Sequence, residues 1–179
     1  MIRWRPRAGS AHRGALIDGQ TPTVSRFARA VPAGTTLLAS ALSALPMVSD
    51  APALPPLGLL TVLSWRLLRP ELWGAWIALP LGLADDLLTG QVPGTAMASW
   101  TILFLFLDIV DERLMFRDYM LDWTIAAIGI CACITGAVLA AGIGSGSLHI
   151  FVPQMLLAIL CFPFVERICA AIDRWRLQR

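Results

Sequence analysis

Apolar positions along the chain come in long unbroken blocks rather than in alternation, the pattern of buried or lipid-facing helices and not of half-buried strands. Six blocks stand out: about Phe27 to Val48, Ala53 to Leu68, Glu71 to Leu88, Thr95 to Ile109, Leu121 to Ala141 and His149 to Ala171. The first contains Pro32 and Pro46, the second opens on Pro55-Pro56, and the sixth is interrupted by Pro153 and Pro163. A helix needs about 20 residues to cross the roughly 30 Å hydrocarbon core of a bilayer. Blocks one, five and six meet that length. Blocks two and four are short, so a count of five stays open if one of them is re-entrant.

Composition agrees with the pattern. Hydrophobic residues make up 57% of the 179 and charged residues 15%, against about 25% charged in an average soluble domain. Mean hydropathy is +0.70. A soluble chain of this size has too little interior to hide so much apolar surface. The sequence therefore predicts an all-α integral membrane protein, a bundle of about six transmembrane helices over residues 26–172. A basic, polar cytoplasmic tail precedes it (1–25), and a basic cytoplasmic C-terminus follows (173–179). The early arginines are not followed directly by an apolar run, so the tail does not read as an ordinary signal peptide.

Charge then orients the bundle. All 14 basic residues are Arg. With the N-terminus in the cytoplasm and six alternating helices, every Arg falls on the cytoplasmic side or its boundary. The outward links around Asp50, Gln91 and Ser145 carry none. That is the positive-inside distribution, and it places both termini in the cytoplasm. No basic block resembles a nucleic-acid arm flanked by stacking aromatics, so nucleic acid is not an expected partner. Lipid headgroups are, through Arg3, Arg5 and Arg7 of the tail.

Charges inside apolar blocks are the first place to look for function, because each costs a few kcal/mol or more at the bilayer centre. Asp85 and Asp86 stand out. Gly82, Asp86, Gly90 and Gly94 are spaced by four and fall along one stripe if the helix continues that far. Glycine at such intervals lets a second helix approach closely, so the stripe predicts a contact face, with Asp86 pointing into it. Counted from Glu71 at 1.5 Å per residue, Asp86 lies about 22 Å into the span, in its outer half. Asp85 is about 100° away around the helix, facing another helix or the interface.

Other polar groups change the picture less. An intramembrane aspartyl protease carries Gly-x-Gly-Asp. Here the run is Gly82-Leu83-Ala84-Asp85, without the second glycine, and the candidate partner Asp108 lies at the opposite, cytoplasmic depth. Asp85-Asp86 alone supplies too few acids for a metal-holding phosphatidyl transferase. Asp108, Asp111, Glu112 and Asp118 surround Arg113 and Arg117 and read as a solvated inward link. Trp65, Trp73, Trp76, Trp100 and Trp123 lie near helix ends, where indole rings favour the headgroup zone. Cys131 and Cys133 are about 200° apart on a helix and cannot share a metal. With Cys161 and Cys169 they read as small apolar residues. Neither a metal nor a cofactor is expected.

The run from Pro56 through Trp65 and Pro70 to Gly82, Asp86, Gly90 and Gly94 resembles the rod shape-determining protein MreD family. That family shows a proline before its second helix, an aromatic late in it and a proline in the inward link. A Gly-x3-Asp-x3-Gly-x3-Gly run follows. The likeness covers about forty residues, together with size and helix layout. The long basic N-terminal tail and the additional acid Asp85 depart from the family pattern. The resemblance implies a non-enzymatic role in the bacterial inner membrane. The expected partners are a bitopic scaffold of the MreC type, the actin-like MreB, RodA and its penicillin-binding protein. On this reading Gly82, Asp86, Gly90 and Gly94 form a partner face, Pro56, Trp65 and Pro70 shape the fold, and Asp85 and Asp108 are secondary polar candidates.

A second reading comes from another class. Substrate-binding membrane subunits of vitamin-uptake transporters of the ECF type have a similar layout. They need a cavity near the outer face, for which Asp85, Asp86, Gln91, Ser99, Trp100 and His149 are available, and an alanine-rich docking surface such as Ala39, Ala41 and Ala44.

Overall fold

A helix buried all round belongs in the middle of a bundle, and the second block forms such a helix. In the computed structural model, which describes residues 26–44, 54–113, 119–142 and 150–177, every residue from Gly58 to Leu67 is buried. The described residues form six α-helices and no strand: α1 (Arg26–Ser43), α2 (Leu57–Leu68), α3 (Ala78–Thr89), α4 (Thr95–Arg113), α5 (Tyr119–Ala140) and α6 (Val152–Leu177). Two single 3-10 turns, Pro70–Leu72 and Ala75–Ile77, lie between α2 and α3. The helices form a closed circuit in which α2 touches α1 and α6, α1 touches α3, α3 touches α4, and α5 bridges α4 and α6. A further contact joins α2 to α5 across the middle.

Cross-ties fix the direction of the helices. Ser43 Oγ at the end of α1 accepts a hydrogen bond from the Leu57 N–H that begins α2 (3.1 Å). Gln154 Nε2 at the start of α6 donates to the Leu54 carbonyl (2.8 Å). At the other end Arg69, just past α2, donates from Nε and Nη2 to Asp173 Oδ2 of α6 at 3.0 and 2.9 Å. Arg66 near the end of α2 pairs with Asp108 and Asp111 near the end of α4. The starts of α2, α4 and α6 therefore share one end of the bundle and their C-termini the other. The described arginines gather at the second end: Arg26 and Arg29 begin α1, Arg66 and Arg69 close α2, Arg113 closes α4, and Arg167, Arg174 and Arg176 lie late in α6.

By length and composition, α5 (22 residues) and the Val152–Trp175 part of α6 (24 residues) are sufficient to cross a membrane. The outward faces of the bundle are largely apolar. Leu38 on α1, Leu83 and Leu87 on α3, Ile102 and Leu105 on α4, Ile128 on α5 and Leu156 and Leu160 on α6 are all exposed. A soluble monomer does not expose apolar surface on that scale. Among lipid tails, moreover, apolar contact alone gives helices little reason to associate. Close backbone approach and buried polar ties must then hold the bundle together.

The third block differs from its expected form. The sequence predicts a helix from Glu71, but α3 begins at Ala78, and the preceding residues run through two 3-10 turns. Pro70 opens the first of these, and Gly74 precedes the second in an extended conformation (φ −76°, ψ 165°). Trp73 is folded inward between them, only 2% exposed. The physical reason is that a continuous helix from Pro70 would turn this indole away from the core. At 12 residues each, α2 and α3 are about 18 Å long. In the fourth block, α4 continues to Arg113, so Asp111 and Glu112 belong to a helix and not to a link. Within the tryptophan set, Trp65, Trp73 and Trp100 are buried, while Trp76 and Trp123 are exposed. The expected tail and C-terminal residues 178–179, Pro46, Asp118, Arg117 and His149 lie outside the described residues.

Candidate functional site

Helix α3 shows why the spacing by four matters. Its buried positions are Ala78, Leu81, Gly82, Asp85 and Asp86, one helical face; Leu79, Leu83 and Leu87 form the opposite, exposed stripe. Gly82 sits where α4 crosses. A Cβ added there would come within 2.6 Å of Met97 Cα and 2.7 Å of Met97 N. Only glycine admits a backbone at that distance. Gly82 is thus packed against the backbone of the chain's own α4.

Asp86, one turn on, is 1% exposed. Its two carboxylate oxygens accept three backbone hydrogen bonds from the start of α4. Ala96 N–H donates to Oδ1 at 2.8 Å, Gly94 N–H to Oδ2 at 2.9 Å and Met97 N–H to Oδ2 at 3.3 Å. The first N–H groups of a helix lack partners within it, and the positive end of the helix dipole favours a negative charge there. Asp86 therefore acts as a remote N-cap, supplied by the neighbouring helix. Its cost of burial is offset locally.

The stripe does not extend as a helix through Gly94, which corrects the expected contact face. Helix α3 ends at Thr89, and Gly90 takes the left-handed conformation (φ 69°, ψ 21°) that commonly terminates helices. Gly94 also has positive φ, 96°, and Thr95 N–H bonds the Val92 carbonyl at 3.1 Å. Val92-Pro93-Gly94-Thr95 has the proline and the positive-φ glycine where a type II turn requires them. So the four residues do four different jobs: close approach (Gly82), cap (Asp86), helix stop (Gly90) and turn (Gly94). Together they lock α3 against α4.

The remaining motif residues are also structural in placement. Pro56 immediately precedes α2. Trp65 Nε1 donates to Thr35 Oγ1 of α1 at 2.9 Å, which makes it an interhelical tie and not a headgroup anchor. Pro70 begins the first 3-10 turn. Asp108 pairs with Arg66, at the far end of the bundle from Asp85. Arg66 is 3% exposed; its Nη1 lies 3.0 Å from Asp111 Oδ2, and its guanidinium carbon stands 5.9 Å from the Phe104 ring centre.

Asp85 differs from Asp86. It is 6% exposed, and it meets Ser40 of α1 above Gly58 of α2, where an added Cβ would collide with both Ser40 Oγ and Asp85 Oδ1. It also lines a cavity of about 370 Å³. The starts of α2, α4 and α6 and the ends of α3 and α5 surround that cavity. Gln91, Ser99 and Trp100 share its wall with Asp85, whereas Asp86 does not reach it.

Sequence reasoning passed over Gly58, Ser40, Arg66 and Asp173. Gly58 and Ser40 carry no spacing signal, since their partner lies on a third helix. Arg66 and Asp173 did carry one, a charge inside or beside an apolar helix, but each looks like an ordinary boundary charge until its partner is known. Comparison of the chain with family models, with curated proteins and with solved structures returns no match.

Proposed function

We propose that the chain is a non-enzymatic, multi-pass component of a bacterial inner membrane. It would work in the cell-elongation machinery as proteins of the MreD type do, holding an MreC-like bitopic partner and helping to position sidewall peptidoglycan synthesis. The observation that carries this reading is that every residue of the resemblance has a fold-making task. Pro56, Trp65 and Pro70 shape α2 and its exit, and Gly82, Asp86, Gly90 and Gly94 lock α3 to α4. Placements of this kind support an architectural role for the run. Asp86 accepts three backbone N–H groups at the start of α4, which supports a structural task for it.

The clustering of described arginines at one end supports six spans with both termini in the cytoplasm. On this reading the partner contacts an outer face of the bundle, because α4 fills the Gly82 side. Depletion of the protein from its own cells tests the proposal. Rods should widen and round, and sidewall incorporation of a fluorescent D-amino acid should lose its pattern.

One observation favours the second reading, a substrate-binding subunit of an ECF-type vitamin transporter: the cavity with Asp85, Gln91, Ser99 and Trp100 in its wall. Under that reading, depleted cells keep their width and lose uptake of a vitamin.

A further inference from the structure

The polar lining of the cavity holds one charged group, Asp85, among neutral polar side chains. Asp85 contributes a carboxylate, and no Arg or His among the described residues forms an ion pair with it. Ser99 Oγ donates its proton to the Ala96 carbonyl at 3.3 Å, leaving lone pairs. Gln154 commits its amide nitrogen to Leu54, leaving its carbonyl oxygen. Gln91 and Thr95 add neutral polar groups, and the rest of the wall is largely apolar, with the aromatic residues Trp100 and Phe151 and, from α5, Ala137 and Val138. A buried carboxylate without an ion-pair partner, in a wall that also holds neutral polar groups and two aromatic side chains, matches a cation that donates hydrogen bonds and carries an apolar body. The volume, about 370 Å³, falls within the usual range for small-molecule sites, roughly 300–1,000 Å³.

We infer that this cavity is a binding site for an ammonium-bearing ligand with an apolar body, in which Asp85 supplies the counter-charge. The shared chemistry is a primary amine next to hydrocarbon, and it has two sources: a free aromatic or alkyl amine, or the ethanolamine headgroup of a lipid. The site does not depend on which reading of function holds. It uses Asp85, the acid of the pair that stands outside the α3–α4 lock and meets Ser40 of α1.

The test uses the full chain, purified in detergent and, separately, in phosphatidylglycerol discs with and without phosphatidylethanolamine. Calorimetric titration with 2-phenylethylamine at neutral pH is compared with its neutral counterpart, 2-phenylethanol. Native mass spectrometry of the discs reports retained phosphatidylethanolamine. Two variants are measured alongside: Asp85→Asn, which removes the charge, and Ala137→Phe, which fills the cavity from the opposite wall. Saturable amine binding that falls at least tenfold in both variants, with no binding of the alcohol, identifies a free-amine site. Retention of phosphatidylethanolamine by the parent chain and its loss in both variants, without amine binding, identifies a headgroup site. If Asp85→Asn does not fold, Ala137→Phe decides alone. Equal binding of amine and alcohol, unchanged binding in the variants, or neither ligand bound overturns the inference.

Discussion

Asp86 is the residue on which the α3–α4 arrangement depends. Hydrogen bonds to a charged group contribute about 1.5–3 kcal/mol each, and orphaned buried N–H groups cost about as much. Asp86→Ala should therefore destabilise the bundle by at least about 2 kcal/mol, read as a lowered thermal midpoint in detergent. Asp86→Asn should be milder, because asparagine also caps helices. It retains one accepting oxygen where the carboxylate uses both. The glycines separate by mechanism. Gly82→Ala forces a Cβ into the Met97 backbone, and overpacking of this kind costs about 1–3 kcal/mol. At Gly90 there is open space around an added Cβ, so alanine there suffers only from the positive φ, about 1 kcal/mol. Gly90→Asn should recover much of that, since asparagine tolerates the left-handed region. Equal losses for Gly82→Ala and Gly90→Ala would contradict this division.

Between elements, the arginine end is tied by charge and the opposite end by hydroxyl and amide contacts. Arg66 is buried between two acids of α4, of which Asp111 is 23% exposed and Asp108 42%. The more exposed carboxylate can recover water when its partner is lost, and exposed pairs contribute at most about 1 kcal/mol. Asp111→Asn should therefore lower the unfolding midpoint more than Asp108→Asn. A double variant with Arg66→Met would be less harmful than the sum of the separate changes, because it leaves fewer charges unpaired.

Much at this scale was legible in the sequence. Six apolar blocks became six helices, and Gly82 and Asp86 share the buried face of α3. The failures have a common cause. A spacing by four cannot reveal whether a helix lasts long enough to realise it, and here Gly90 stops α3 before Gly94. The left-handed glycine after Thr89 and the Val92-Pro93-Gly94-Thr95 turn were readable in principle, because a proline followed by glycine is a turn signal. The pairing of Arg66 with α4, and of Ser40, Gly58 and Asp85 across three helices, was not readable. Each depends on which helices become neighbours.

The molecule as a whole is a bundle with an apolar exterior, a polar-tied interior and arginines at one end. In a background lacking the native cysteines, a cysteine replacing Gln91 should react with a membrane-impermeant maleimide added outside intact spheroplasts. One replacing Arg174 should react only after lysis. Reaction of both from the same side would contradict alternating helices with both termini inside.

The central claim is that this bundle serves the elongation machinery by holding a bitopic partner. Native mass spectrometry of the chain, gently extracted from its own membrane, tests it most directly. The account predicts a stoichiometric complex with a single-span protein that carries a large outward domain of the MreC type. A complex with a pair of ATPase subunits and a second membrane coupling protein would contradict it and would make the transporter reading the correct one.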